Sequence, residues 1–379
     1  MPVKAQSFIA SRLRFKGRLA IVAIAVSFLV MILSLAISGG FRAEIRHGIS
    51  SLAGDVVLNG SGSEPVSTEL SYLDKLSEVP GVESITPVLW KPAIVKGPDD
   101  IAGVLVKGVP MPDSCSLHAR VPSRLARMLR LSEGDSFISY FVDDRVRARK
   151  FTISEVYDAT VDSDEMLTVI VPLSDLQRLS GWTSDQAGSC EVLLKDGAPQ
   201  DDAALQMSVL AYTGHEEDED ILRATTARQR YPQLFDWLDL IDFNVLAIIV
   251  LMTIVAGFNM ISGLLILLFR HISTIGTLKS MGMGNRAIAG VFLRVAARIV
   301  AIGMLIGNAA ALLICFIQDK THLIKLNPAN YFVSYVPVHL NIPLVLIVDL
   351  LAFGAIMLLL LVPTLFISKV DPAQTVKVK

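Results

Sequence analysis

RHISTIGTLKSMGMGNR, residues 270–286, lies between two long apolar runs. It carries Arg270, His271, Lys279 and Arg286 and no acid, and a Met-Gly-Met-Gly interrupts it near its end. A short basic segment between two greasy runs is the inner turn of a membrane protein, so its neighbours decide the fold. The chain as a whole agrees. Of its 379 residues, 52% are hydrophobic and only 18% charged, too apolar for a pair of soluble domains.

A helix needs about 20 apolar residues to cross a hydrocarbon core of roughly 30 Å. Four segments qualify: 19–38, 243–269, 287–317 (apolar from about Ile299, with an amphipathic lead-in from Ala287) and 342–367. The first exceeds the apolar stretch of roughly 7–15 residues in a secretory signal, so it reads as an uncleaved span. Charge sets the orientation. Residues 1–18 carry Lys4, Arg12, Arg14, Lys16 and Arg18 and no acid, and 270–298 carries Arg270, Lys279, Arg286, Arg294 and Arg298 and no acid. Short loops rich in Lys and Arg stay in the cytoplasm. This places the segment 1–18, the loop 270–286 and the tail 368–379 inside. Residues 39–240 and the short loop 318–341 are then outside. Residues 41–240 hold 19 Lys and Arg against 32 Asp and Glu, and the remainder 15 against 4. The near-neutral total thus hides an acidic exported part and a basic inner face suited to anionic lipid or an acidic partner. The chain is expected to cross a membrane several times.

The exported segment reads as mixed α/β. GDVVLNG (54–60), VESITPVLW (82–90) and IAGVLVKGV (101–109) are strand-like, and STELSYLDKLSEV (67–79) has Leu70, Leu73 and Leu76 at helical spacing. From Val121 a short helix leads into the short strands FISYFV, RKFTISEVY and MLTVIVP, the spacing of a small β-barrel. The pattern predicts two subdomains: about 41–120 with 183–235, and an inserted β subdomain over about 121–182. HEEDED (215–220) reads as a solvated linker. Cys115 and Cys190 read as two separate thiols rather than a bridge.

Little in the sequence carries chemistry. No Gly-Lys dipeptide exists for a phosphate loop, and there is no H-E-x-x-H, no zinc-spaced cysteine pair and no Gly-x-Ser-x-Gly. Ile37-Ser38-Gly39-Gly40 ends a span and is no ATPase signature. The chain is expected to be no enzyme, with no catalytic residue, metal site, cofactor or nucleic-acid partner of its own. Asn259, Asn308 and Asp349 sit in or near the spans and read as helix–helix hydrogen-bonding groups. Gly303-x-x-x-Gly307 reads as close helix packing.

Within the opening stretch, Ile272, Ile275 and Leu278 form one stripe, Lys279 and Arg286 extend toward water, and Gly282 and Gly284 end the helix. From the residues alone this helix lies on the bilayer or docks a cytoplasmic protein. At the other side, SLAISGGF (34–41) ends the first span with small residues that Phe41 borders. DFNVLAIIV (242–250) opens the second, with Val245, Ile248 and Ile249 on one face. Span–span packing and a binding groove both fit.

The stretch and its continuation, IAGVFLRVAARIVAIGMLIGN, resemble the second-to-third-span region of FtsX/MacB-type ABC permeases. Leu278-Lys279-Ser280-Met281-Gly282, Phe292, Gly303 and Gly307 match; Val295, Ala296 and Val300 stand where that family has Gln and Gly residues. Gly40-Phe41 with Glu44-Ile45 and Ile49, the loop Tyr331 to Val336-Pro337-Val338, and Val370-Asp371-Pro372 are similar to the lipoprotein-releasing branch. The length of the exported part and the short segment before the first span separate the chain from the cell-division and ATPase-fused branches.

The resemblance implies an α-helical membrane protein with four transmembrane helices and a MacB-like periplasmic domain. It implies a separate cytoplasmic ABC ATPase that binds ATP and Mg, and a second permease chain, the same or a sister. It also implies a lipoprotein substrate embedded in membrane lipid and a periplasmic carrier that receives it. ATPase docking falls on Ile272, Ile275, Leu278, Lys279, Met281 and Gly282; substrate contact falls on Ser38, Gly40, Phe41, Val245, Ile248 and Ile249. The alternative is a mechanotransmission or sensor permease that regulates a periplasmic enzyme or efflux partner.

Overall fold

The computed structural model describes residues 18–60, 65–97, 100–142, 145–158, 167–195, 197–216, 219–327, 331 and 333–365. Residues 1–17 of the first segment, the 368–379 tail and the Val370-Asp371-Pro372 motif lie outside the described residues. In chain order the helices are α1 (Arg18–Ala53), α2 (Leu73–Ser77), α3 (Ser123–Met128), α4 (Leu173–Ser180), α5 (Gln200–Gly214), α6 (Ala227–Arg230), α7 (Pro232–Arg270), α8 (Ile272–Ser280), α9 (Asn285–Thr321), α10 (Ile342–Leu359) and α11 (Leu361–Thr364). The strands are β1 (Val56–Asn59), β2 (Val66–Ser67), β3 (Val82–Lys96), β4 (Ile101–Val109), β5 (His118–Pro122), β6 (Ser136–Val142), β7 (Val146–Tyr157), β8 (Thr168–Pro172), β9 (Gln186–Ala187), β10 (Ser189–Leu194) and β11 (Arg223–Thr226). The chain forms two compact units: the helices through Arg42, Trp237–Ile324 and from Val336 on, and a mixed α/β unit of Ala43–Asp236 with Lys325–Tyr335.

Among the described residues four helices are long and apolar enough to cross a membrane: α1, α7, α9 and α10 running on into α11. Two exceed the spans predicted from hydropathy. α1 continues past Ser38 to Ala53 because nothing after Gly40 breaks it: good helix formers follow, and Phe41, Ile45, Ile49 and Ala53 bury one stripe at four-residue spacing. α7 starts at Pro232, a residue suited to a first helical turn, about three turns before the apolar run at 243.

The helical unit is packed around Ile24, Phe28, Met260, Phe292, Ile299 and Ile356. Two glycines let α9 meet α1 closely. A Cβ at Gly303 would lie 2.7 Å from Ile24 Cγ2, and one at Gly307 2.4 Å from the Ala25 carbonyl oxygen, so only glycine fits at either place. Asn308 Nδ2 on α9 donates to Asp349 Oδ2 on α10 at 2.5 Å, the helix–helix bond read from the sequence. Asn259 is different: it is exposed on α7, off the stripe of Ala256, Met260, Leu264 and Leu267 that α7 buries. Asn308→Leu leaves the buried Asp349 without its donor, an outcome worth roughly 1–3 kcal/mol for a buried polar group left unpaired. We expect a lower detergent-solubilised melting temperature, with Asn308→Gln milder; equal melting of both variants and the parent would contradict this bond's role.

In the mixed unit one sheet runs β11-β1-β10-β3-β4-β8-β5-β7-β6, and β3 also pairs β6, so six of its nine strands close into a small barrel. The barrel is larger than the predicted insert of 121–182. Its core begins at Leu89 and takes in all of β4. The reason is β3, a 15-residue strand whose first half pairs with β10 and whose second half pairs with β4 and β6. No turn marks the boundary. A second core holds Val56, Leu58, Tyr72, Leu76, Cys190, Val192 and Met207 under β11, β1, β10 and α5. The predicted 67–79 helix shrinks to α2, since Val66 and Ser67 pair with β9 instead.

The C-terminal end of α1 is clamped in this unit. Its last carbonyls would otherwise be orphaned. Lys107 Nζ donates to the Leu52 carbonyl at 2.5 Å and to Glu191 Oε2 at 2.6 Å, and Arg230 Nη2 donates to the Ala53 and Gly54 carbonyls at 2.8 Å each. Gly54, at φ +67°, supplies the left-handed stop. Two cations at a helix C-terminus also oppose its dipole. The acid run is tied rather than free at its end: Glu219 accepts from the Ser71 backbone N–H at 2.6 Å and its hydroxyl at 2.7 Å, which hold its carboxyl below the usual range.

Cys115 and Cys190 are both free. Cys190 is buried in β10, and burial pushes its thiol up to about 11. Alkylation of the native protein at pH 8 is expected to label half-exposed Cys115 and spare Cys190 until denaturant is added; fast native labelling of both would contradict the packing of β10.

Candidate functional site

Two places in the helical unit collect the residues singled out by sequence. The first joins the end of α1, the start of α7 and the loop 336–339. Ser38 and Arg42 stand one turn apart on α1, and Asp239 and Asp242 one turn apart on α7. Ser38 Oγ donates to Asp242 Oδ1 at 2.5 Å, while Arg42 Nη2 pairs with Asp242 and with Asp239 at 3.3 Å. Phe41 meets the ring of Trp237 edge-on, with centroids 5.8 Å apart at 83°, an arrangement worth about 0.5–1.5 kcal/mol beyond area burial. The ion pairs are half-exposed and individually weak, but hydroxyl, two carboxylates, guanidinium and two rings together form a latch between the first two membrane helices.

The loop closes the latch from the side. The backbone N–H of His339 donates to the Ala36 carbonyl at 3.0 Å. A Cβ on Gly40 would lie 2.3 Å from the Pro337 carbonyl oxygen. The loop is itself pinned by buried Gln318, whose side chain donates to the carbonyls of Ile324 and Val336 and accepts from the Ile324 N–H. Of the two readings open at the small residues, packing is the one found here. Ser38 and Gly40 leave no open groove: the hydroxyl is taken by Asp242 and the glycine's space by Pro337. Ser38 and Phe41 are buried, and Val245, Ile248 and Ile249 follow the latch along α7 as half-buried side chains. The charged half of the latch, Arg42 with Asp239 and Asp242, was not singled out. A cation four residues after Ser38 and two acids three apart at the opening of α7 are its only sequence signal.

The second place is α8. Ile275 is 1% exposed and belongs to the core of the helical unit, and Leu278 packs against that core. The predicted docking stripe therefore faces inward, because the bundle has first claim on it. Lys279 is half-buried, while Ile272 and Gly282 are exposed and Met281 is 75% exposed. The outward face carries Ser273, Thr274, Thr277 and Ser280. Two of these hydroxyls are spent on α8's own backbone, Thr277 on the Ser273 carbonyl at 3.0 Å and Ser280 on Thr277 at 2.8 Å. Gly282 turns the chain at φ +84°. The outward side of α8 is thus a rim of small polar residues with Ile272 at one end and Met281 at the other. No group of three or more metal-ligating side chains occurs among the described residues.

Residues 19–209 match the family described as MacB-like periplasmic core domain, and residues 246–372 match FtsX-like permease C-terminal. The lipoprotein-releasing system transmembrane protein LolC of Xylella fastidiosa strain 9a5c is 20% identical over 410 residues, covering 96% of this chain and 94% of that protein. Among solved structures, the periplasmic region of MacB from Actinobacillus actinomycetemcomitans is 14% identical with a TM-score of 0.33, covering 49% of this chain and 95% of that one. The extracellular domain of the ABC-type transporter YknZ from Gram-positive bacteria is 12% identical with a TM-score of 0.31, covering 45% and 99%.

Proposed function

The chain belongs to the FtsX/MacB-type ABC transporter permeases, and from that premise we propose that it is the lipoprotein-releasing kind. The family makes it an inner-membrane permease with an exported domain between its first two spans. In the proposed reading both termini and α8 lie in the cytoplasm, where the acid-free loops put them. A separate ATPase docks on the outward rim of α8, and two permease chains share it.

The observation that carries the reading is the latch between α1 and α7, in a chain that parallels a lipoprotein-releasing relative along nearly its whole length. Each buried CH₂ holds an acylated substrate by about 0.8 kcal/mol, so several chains make unaided exit far too slow and an energy source is required. Closure of the ATPase moves α8 and with it α7. The latch then parts: Asp242 leaves Ser38 and Arg42, and Phe41 leaves Trp237. An acyl chain enters between Phe41 on α1 and Val245, Ile248 and Ile249 on α7. Re-formation of the latch expels the substrate toward the periplasmic carrier. The Arg230 and Lys107 clamp holds the last turn of α1 within the exported domain.

Photo-crosslinkers at Phe41 and at Ile248 should capture triacylated lipoprotein in membranes that contain the ATPase, whereas one at Ile356, buried in the bundle core, should capture little. Equal labelling at all three, or none at the first two, would place the substrate elsewhere.

A further inference from the structure

The mixed unit exposes two apolar surfaces that its own two cores do not use. On β4, β3, β6 and β7 the outward side chains fall in register. Leu105, Pro92, Val142 and Val146 form one row; Gly103, Ile94, Tyr140 and Ala148 the next; Ile101, Lys96, Ile138 and Lys150 the third. Ile101 is 71% and Val146 67% exposed, and Ile94, Leu105, Ile138 and Val142 are exposed beside them. A Cβ at Gly103 would meet nothing within 4 Å, so the middle row is open at its β4 end. The face is apolar on two rows and carries two lysines on the third. Contiguous exposed apolar faces of this kind mark interaction sites.

The second surface is on α5. Its inner side buries Ala203, Ala204, Met207 and Ala211. Its outer side carries Leu205, Val209 and Tyr212, the first and last 66% and 68% exposed, at the four- and three-residue spacing of a single ridge. Asp201 and Asp202 stand at the head of that ridge, one to each side of it.

We propose that the α5 ridge of one chain seats on the β4-β3-β6-β7 face of a second copy of the same chain. Charge decides the occupant. An acid-headed ridge is repelled by the anionic surface of a membrane, so lipid does not cover it. The sheet face carries the complementary pair, Lys96 and Lys150, in one row, and both surfaces are present on every copy. Size agrees. Leu205 to Tyr212 rises about 10 Å along the helix. The face is about 13 Å along the strands and about 14 Å across four of them. With Val209 over Gly103 and Ile94, Leu205 falls about 6 Å back, on the row of Ile101 and Ile138, and Tyr212 reaches toward the row of Leu105 and Val142; Asp201 and Asp202 then stand about 5 Å beyond the lysine row, within reach of the long Lys96 and Lys150 side chains. The contact fixes direction as well as place, because reversing the ridge sets its acids over the apolar rows.

The test uses the full-length chain in membranes, in a Cys115→Ser background, with two differently tagged copies. One copy carries Val209→Cys and the other Ile94→Cys. Mild oxidation should give a disulfide-linked pair carrying both tags. Asp201→Lys with Asp202→Lys on the first copy should lower its yield about five-fold, the scale of two ion pairs. Lys96→Glu with Lys150→Glu on the second should restore it. A photo-crosslinker at Val209 in an otherwise unaltered chain should capture the same chain near β3, which covers the case of cysteine variants that fail to fold. The proposal is overturned by an absent cross-link from both probes, by a yield that ignores charge reversal, or by capture of lipid or of a different protein at Ile94.

Discussion

Gly40→Val is expected to abolish lipoprotein release while leaving the chain inserted in the membrane. The added side chain starts 2.3 Å from the Pro337 carbonyl oxygen, a contact that forces the loop off α1. Overpacking of this kind costs about 1–3 kcal/mol where the surroundings yield, and more where they do not. Here they are held, because Gln318 pins the loop through three hydrogen bonds and His339 bonds Ala36. The latch then fails to re-form in register, and the expulsion step is lost. A fall in release of at least about ten-fold corresponds to ~1.4 kcal/mol on the cycle's barrier. Gly354→Ala is the matched control, since a Cβ there meets nothing within 4 Å. ATP-dependent release from membranes, measured beside permease-stimulated ATP hydrolysis, separates the steps. Hydrolysis should persist in Gly40→Val. Parent-like release would show that the glycine–proline contact plays no part in the cycle.

Met281→Asp should cut the stimulation of the ATPase about ten-fold or more, as loss of a hot-spot contact worth over ~1.4 kcal/mol does. Met281 is exposed, so the change leaves the bundle intact, and expression and melting temperature should match the parent. Ile275→Asp is expected to act differently. It places a carboxylate in the apolar core of the helical unit, to which Ile275 belongs, and destabilises the permease itself. The contrast discriminates a docking rim from an inward stripe. If Ile275→Asp folds normally and only Met281→Asp is silent, the docking face was assigned to the wrong side of α8.

Hydropathy made the four membrane helices legible, because lipid demands long apolar runs and nothing else in a chain imitates them. It hid where α1 and α7 end, since beyond the bilayer a helix is prolonged by ordinary propensity and by an apolar stripe such as Phe41, Ile45 and Ile49. The barrel's outline was hidden by β3, where one strand serves two cores without a turn between them. At the candidate site the sequence marked Ser38, Gly40 and Phe41 by their place at the end of a span. The space around the small residues was not readable, because Pro337 arrives from about 300 residues away. Arg42 with Asp239 and Asp242 was missed for the same reason: charges near a membrane boundary are common, and only the fold pairs them. Ile275 shows the reverse limit. An apolar stripe says that a helix buries one face, and it does not say whether its own bundle or a partner does the burying.

Release of a triacylated lipoprotein from proteoliposomes containing this permease and its ATPase tests the central claim most directly. On adding ATP, Mg and a soluble periplasmic carrier, the account predicts transfer of the lipoprotein from the bilayer to the carrier. Transfer should depend on ATP and be lost in Gly40→Val. Permease-stimulated hydrolysis with every lipoprotein molecule still in the bilayer would contradict it.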